Sequence, residues 1–175
     1  MSNYNERFIY GASDTFSPGA TPQDVFTITG NGTTNVYVLK MGISTVQTTD
    51  EFNAWYISKR STANSGGTVR TPPLVSFNSN FPASSSVVRS YTVTPTTDGT
   101  LVGDVWSGYL MSNDSTPGSD VAGFSGIEVD FQSMYGNPVA LLSASQVLGW
   151  NFNGAALPGG LIVSAWIHWY ETYKS

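Results

Sequence analysis

The chain contains no cysteine among its 175 residues. Disulfide frameworks, thiolate-bound metals and cysteine nucleophiles are therefore excluded. A chain of this length buries roughly 70% of its unfolded surface, so it can hold a core without cross-links. His168 is the only histidine, and no nucleophile-elbow, P-loop or dinucleotide-binding motif occurs. The sequence therefore predicts neither an enzyme nor a bound cofactor or metal.

Charged residues are also scarce, at 11% of the chain against about 25% in a typical soluble domain. The net charge is −5, and Lys59-Arg60 is the one adjacent basic pair, whereas nucleic-acid-binding proteins carry clustered basic patches. The longest apolar stretch, residues 161–169, is too short to cross a bilayer. We expect no nucleic-acid or membrane partner, and a charge-poor, aromatic-rich surface suited to contact with other proteins.

Short alternating apolar runs separated by Gly, Pro, Asn and Ser recur along the chain, and no 3.6-residue period continues for three turns. They predict about eight to ten strands, among them residues 25–29, 35–46, 52–59, 87–94, 101–111, 127–131, 139–142, 147–152 and 161–170. Many short strands without intervening helices are typical of a sandwich. The prediction is an all-β protein, an antiparallel, jelly-roll-like β-sandwich over residues 23–175.

Residues 1–22 are interrupted by Ser17-Pro18-Gly19 and Thr21-Pro22, which predicts an extended, irregular N-terminal arm. Five apolar side chains are spaced through its polar residues and are poorly placed in water. We expect them to lie against a partner or a neighbouring subunit, with a disordered terminus as the alternative. These candidate interface residues are Tyr4, Phe8, Ile9, Tyr10 and Phe16.

The last predicted strand has two distinct faces. Alternation puts five apolar residues on the core face: Leu161, Val163, Ala165, Ile167 and Trp169. The other face carries Ser164 and a row of ring-bearing side chains, Trp166, His168 and Tyr170. That row has three interpretations: packing beneath a loop, a protein interface, or a sugar-stacking platform.

Glu128 and Asp130 lie two residues apart on a predicted strand, hence on one face. Two carboxylates suffice for glycoside hydrolysis. The simpler interpretation is a pair of acids on the solvent face of an amphipathic strand, which agrees with the prediction of a non-enzyme.

Four segments together resemble a group of small, β-rich virion structural proteins of tailed bacteriophages. They are FTITG at 26–30, KRSTANSGGT at 59–68, VRSYTVTPTT at 88–97 and SQVLGWNFNG at 145–154. The likeness spans most of residues 25–170, and the block at 59–68 is its most specific part. The chain departs from the group's pattern at residues 52–56 and 112–126, which we interpret as candidate contact surfaces.

The resemblance implies a virion component made in the host cytoplasm. For a protein of this size it favours a capsid decoration (cement) protein that binds the major capsid protein, and a homo-oligomer, with a trimer favoured. The alternative is a receptor- or glycan-binding module of a head or tail fibre. That alternative predicts an exposed aromatic pair, either Trp166 with Tyr170 or Trp55 with Tyr56.

Overall fold

A computed structural model describes residues 7–48, 51–114, 126–156 and 160–174. The regular structure of the described part is almost all strand, with one short helix. In chain order the elements are β1 (Phe8–Phe16), β2 (Asp24–Thr29), β3 (Thr34–Gln47), β4 (Glu51–Arg60), β5 (Thr68–Arg70), β6 (Val75–Ser76), β7 (Val87–Val93), β8 (Leu101–Asp114), β9 (Gly126–Asp130), α1 (Phe131–Tyr135), β10 (Val139–Leu141), β11 (Val147–Asn151) and β12 (Ile162–Tyr173).

The strands form two antiparallel sheets. The first has the order β6-β1-β12-β3, with β9 and β10 both paired to β3, and the second has the order β5-β7-β2-β11-β4-β8. A short parallel contact between β3 and β8, at Val46–Asn113 and Gln47–Asp114, joins the sheets at one corner. The predicted all-β antiparallel sandwich is confirmed.

Large side chains from both sheets fill the space between them. Trp55 and Trp150 come from the second sheet and Trp169 from the first, and all three are fully buried. The rings of Trp55 and Trp150 meet edge to face, with centroids 6.2 Å apart. Burying one large apolar side chain contributes about 1.5–3 kcal/mol to folding, so the sandwich holds its core without cross-links.

The extended N-terminal arm is not confirmed. Residues 8–16 form β1, which pairs with β12 over its whole length and with β6 on its other side. The reason is visible in the sequence, because Phe8, Tyr10, Ala12 and Phe16 share one face of an alternating strand. The breakers at residues 17–22 separate β1 from β2 and do not separate an arm from the sandwich.

One short helix was not anticipated. In α1 the side chain of Asp130 accepts a hydrogen bond from the N–H of Ser133 and caps the first turn, while Gly136 ends the helix in the left-handed conformation. Asp and Gly are the residues that favour these two positions. The helix anchors Phe131 in the core and turns the chain from β9 toward β10.

Candidate functional site

The described N-terminal interface candidates lie largely in the core. Phe8, Tyr10 and Phe16 are 5%, 2% and 4% exposed. Tyr10 donates a hydrogen bond from its hydroxyl to the carbonyl oxygen of Pro82 at 2.8 Å, and burial raises the pKa of Tyr10 to about 12. This corrects the expectation that these three rings lie on an arm facing a partner. Ile9 is half-buried.

Tyr4, the fifth N-terminal candidate, lies outside the described residues.

The two faces of β12 differ as the alternation predicts. Four inward side chains of the strand are fully buried: Val163, Ala165, Ile167 and Trp169. On the opposite face Trp166 and His168 are half-buried. Tyr170 is only 8% exposed, because it stacks on Tyr37 with ring centroids 4.8 Å apart and lies beneath the guanidinium of Arg7. Of the predicted row, Trp166 and His168 therefore remain at the surface.

Trp166 and His168 each lie in a row of residues that crosses the first sheet. The row through Trp166 runs from β1 to β9 and consists of Ser13, Trp166, Gly42 and Glu128. The row through His168 begins at β6 and consists of Val75, Gly11, His168, Lys40 and Asp130. These two rows form one continuous outer surface, which we call the aromatic platform.

Two glycines allow the rings to lie close to the sheet. A Cβ atom at Gly42 would collide with the ring of Trp166, and one at Gly11 would stand 3.0 Å from His168 and 3.1 Å from Phe77. Each ring therefore lies over the backbone of a neighbouring strand. The imidazole of His168 is central, 5.1 Å from Trp166 and 5.0 Å from Phe77 between ring centroids.

The charged groups of the platform are already engaged. The ammonium of Lys40 donates to the carboxylate of Glu128 at 3.3 Å and lies 5.4 Å from the centre of the Trp166 ring. Asp130 accepts from the backbone of Ser133 as the helix cap, and that hydrogen bond lowers the pKa of Asp130. Glu128 and Asp130 thus have separate structural partners, an ion pair and a helix cap.

A depression of about 440 Å³ lies beside Trp166 and His168. Its walls come from β1, β12 and the segment around β6, and are formed by Gly11, Ala12, Ser13, Pro73, Val75, Phe77, Trp166 and His168. A second depression of about 260 Å³ lies against Trp166 and is lined by Ile43, Ser44, Gly126, Ile127 and Glu128. Trp166 is the residue common to both.

The surroundings of His168 favour its neutral imidazole form at physiological pH. Its pKa is lowered, first by burial and then by the positive charge of Lys40, with Glu128 opposing the shift. A neutral imidazole offers one donor and one acceptor nitrogen. Within the described part of the chain, neither His168 nor the indole N–H of Trp166 makes a hydrogen bond, so both can bind a ligand.

Sequence reasoning missed Phe77, Lys40, Gly42 and Gly11 as parts of this surface. Phe77 follows a two-residue strand in an irregular segment, where no periodic pattern indicates which residues it contacts. The other three stand opposite β12 only because of strand register, which is a non-local property. The available signal was the glycine inside each of two strands, Gly11 in β1 and Gly42 in β3. Glycine inside a strand often marks the close approach of another group.

A second constellation, buried beneath the loop at residues 61–67, explains the most specific sequence block. Arg60 donates two hydrogen bonds to the carboxylate of Asp24, at 2.7 and 2.9 Å, and a third to the carbonyl oxygen of Gly99 at 2.9 Å. The amides of Asn64 and Asn151 also donate to Asp24. This Asp24–Arg60 network joins β2, β4, β11 and two loops.

The network is structural in character. Asp24, Arg60 and Asn151 are 2%, 6% and 3% exposed, so no ligand reaches them. Burial alone would lower the pKa of Arg60, but the hydrogen bonds and charge of Asp24 raise it above its usual value. Burial, together with the charge of Asp24, raises the pKa of the neighbouring Asp98.

A third feature is the outer edge of the second sheet. Along residues 101–112, β8 has one strand neighbour, β4, within the described structure. Phe52 on β4 and Tyr109 on β8 are 69% and 77% exposed, and they lie diagonally across the ladder from each other. We call Phe52, Tyr109 and the open side of β8 the edge surface.

The aromatic pair considered at residues 55 and 56 does not form a surface. Trp55 is fully buried against Trp150, while Tyr56 is half-buried. Trp55 is excluded as a sugar-stacking residue because its whole ring lies between the sheets. Of the departing segment at 112–126, residues 115–125 lie outside the described residues.

Comparison with known protein families, curated proteins and solved structures finds no match to the chain. Within the described ranges, no three potential metal-ligating side chains come together, and no helix is long and apolar enough to span a bilayer.

Proposed function

We propose that this chain is a structural component of a bacteriophage virion, a capsid decoration protein that binds the major capsid protein. The edge surface is the observation that supports this proposal best. A long strand that has no neighbour on one side among the described residues offers backbone N–H and C=O groups to a partner, and exposed edges of this kind are normally paired, covered or charged. Here two large aromatic side chains stand beside it instead.

The distribution of charge supports a protein partner bound mainly by apolar contacts. Interface cores are depleted in charge and enriched in aromatic residues. One charged residue of β8, Asp104, accepts a hydrogen bond from Ser58 at 2.6 Å and is thereby engaged within the chain. Because the described edge surface consists of two aromatic side chains and backbone groups, we expect binding to a capsid to resist high salt.

Co-sedimentation with capsids that lack this protein tests the proposal. We expect saturable binding that changes little between about 0.1 M and about 1 M salt, where the Debye length falls from about 10 Å to about 3 Å. The double variant Phe52→Ser, Tyr109→Ser should weaken binding at least thirtyfold, since two interface anchors typically contribute about 2 kcal/mol or more.

Met134→Ser is the matched control. Met134 is an exposed apolar residue on α1, at 55%, and lies away from the edge surface. Its replacement should leave capsid binding unchanged. Absence of binding by the unmodified protein, or equal binding by the double variant and the control, would refute the assignment to the capsid surface through this edge.

A homotrimer also remains part of the proposal, because decoration proteins commonly act as symmetric oligomers. Sedimentation velocity over a hundredfold concentration range measures it directly. A trimer that persists on dilution supports the assignment, and a monomer throughout would remove the trimer from it.

A further inference from the structure

We infer that the larger depression on the aromatic platform is a binding site for a neutral saccharide. This inference concerns the first sheet, whereas the proposed capsid contact lies on the second. It therefore goes beyond the proposed function and is tested separately.

The shape and lining of the depression fit a small ligand. Its volume of about 440 Å³ falls within the roughly 300–1,000 Å³ of small-molecule sites, which are mostly apolar with a few placed polar groups. Trp166, His168 and Phe77 supply three contiguous rings on one side. Val75 and Phe77 are more than half exposed, at 55% and 56%, so the site is open to solution.

Unused hydrogen-bonding groups distinguish this depression from a purely apolar contact. The indole N–H of Trp166 and both nitrogens of His168 lie beside the apolar rings with no partner among the described residues. A protein side chain that covered them with apolar atoms would leave these groups unsatisfied, at a cost of about 1–3 kcal/mol each. A hexopyranose fits both features, because its C–H face stacks on an aromatic ring while its hydroxyls donate and accept hydrogen bonds.

The local charge selects among saccharides. Among the described residues, Lys40 is the one cation of the platform and is paired with Glu128 at 3.3 Å, while the lowered pKa of His168 favours its neutral form. The carboxylate residue Asp130 lies on the row through His168. The described part of the site therefore holds no free cation for the carboxylate or sulfate of an acidic sugar. This balance favours neutral saccharides and disfavours sialylated or uronic-acid ones.

The test is titration of the protein with cellohexaose, maltohexaose, laminarihexaose and chitohexaose, with oligogalacturonate as the acidic comparison. Binding is followed by tryptophan fluorescence and by calorimetry. We expect at least one neutral oligosaccharide to bind and oligogalacturonate not to bind. Trp166→Ala and Phe77→Ala should each weaken binding at least tenfold, and Phe77→Ala keeps the test valid should the tryptophan variant fold poorly.

Tyr109→Ser is the matched control, since it removes an exposed aromatic ring from the other sheet, and it should bind saccharide as the unmodified protein does. If no neutral oligosaccharide binds at about 10 mM, or if the Trp166 and Phe77 variants bind as well as the control, the inference is overturned. Loss of capsid co-sedimentation in these two variants, without saccharide binding, would assign the depression to a protein contact instead. Failure of the edge variants to affect capsid binding leaves the saccharide result untouched, so the two proposals fail independently.

Discussion

Replacing Arg60 with methionine tests the energetic role of the Asp24–Arg60 network. The change removes three hydrogen bonds, two of them to Asp24, and keeps much of the apolar stem. The carboxylate of Asp24 stays buried at 2% exposure, with the amides of Asn64 and Asn151 as its remaining donors. Removing one partner of a buried ion pair costs about 3–5 kcal/mol, because a buried charge is left without compensation.

That cost predicts a measurable fall in the melting temperature. Unfolding entropy near 60 °C is about 2.1 cal/mol/K per residue, or about 0.37 kcal/mol/K for a chain of this length. A loss of about 3–5 kcal/mol therefore lowers Tm by about 8–14 °C, measured by calorimetry or circular dichroism. The double variant Asp24→Asn, Arg60→Met should be more stable than the sum of the single changes predicts, by about 1–3 kcal/mol.

Arg70 provides the control for this experiment. It also pairs with an aspartate, Asp14, at 3.0 Å, but its side chain is 54% exposed. Exposed ion pairs contribute about 0–1 kcal/mol, so Arg70→Met should shift Tm by less than about 3 °C. If Arg60→Met costs no more than Arg70→Met, or if the two changes at Asp24 and Arg60 are additive, the buried Asp24–Arg60 pair does not stabilise the fold.

Three further changes have defined outcomes. Glu171 is buried and accepts hydrogen bonds from Ser84, Ser86, Thr34 and Trp169, which outweigh the effect of burial and lower its pKa. Its contribution to stability is therefore full above the pKa of an unfolded glutamate, about 4.3, and is lost as pH falls through the lower pKa of the folded state. Glu171→Gln should therefore reduce the acid sensitivity seen in urea unfolding between about pH 5 and pH 3. A wild-type pH slope in that variant would contradict this. Asp98 has a raised pKa, so its charge opposes folding above the folded value; Asp98→Asn should leave stability at pH 7 unchanged or increased, and a loss above about 1 kcal/mol would show that its contact with Arg60 dominates. Gly42→Ala should displace the ring of Trp166, shift its fluorescence and cost about 1–3 kcal/mol, whereas an unchanged emission spectrum would show that the ring does not lie over residue 42.

The strands and their faces were predictable because alternation is a local property. In β12 the sequence pattern alone separates Val163 and Ile167, which are buried, from Trp166 and His168, which are not. Residues 8–16 show the limit of this reasoning. Phe8, Tyr10, Ala12 and Phe16 share one face of this segment, but Asp14 interrupts that face. Together with the Pro and Gly residues that follow, this interruption favours an irregular arm in the sequence, whereas the pairing with β12 and β6 shows a strand.

The candidate site was only partly predictable, because its members meet through register and packing. Nothing local distinguishes Tyr170, which Tyr37 and Arg7 cover, from Trp166, which stays at the surface. Phe77 contacts His168 from an irregular segment that lies about ninety residues earlier in the chain. The pairing of Arg60 with Asp24 was not predictable either. The block at 59–68 is recognisable in the sequence, but the residue that its side chains bind, Asp24 on β2, and the other partner of that residue, Asn151 on β11, are distant in the chain.

Among the described residues, most charged side chains are engaged within the chain, and this links the two proposed surfaces. Arg60, Arg70 and Lys40 each pair with a carboxylate of the same chain, so recognition on either sheet depends on rings, hydroxyls and backbone groups. The two sheets of a sandwich face in opposite directions. With Tyr109 and the edge of β8 against a capsid, Trp166 on the other sheet faces outward into solution. A saccharide bound there would not compete with the capsid, and one molecule can therefore bind both at once.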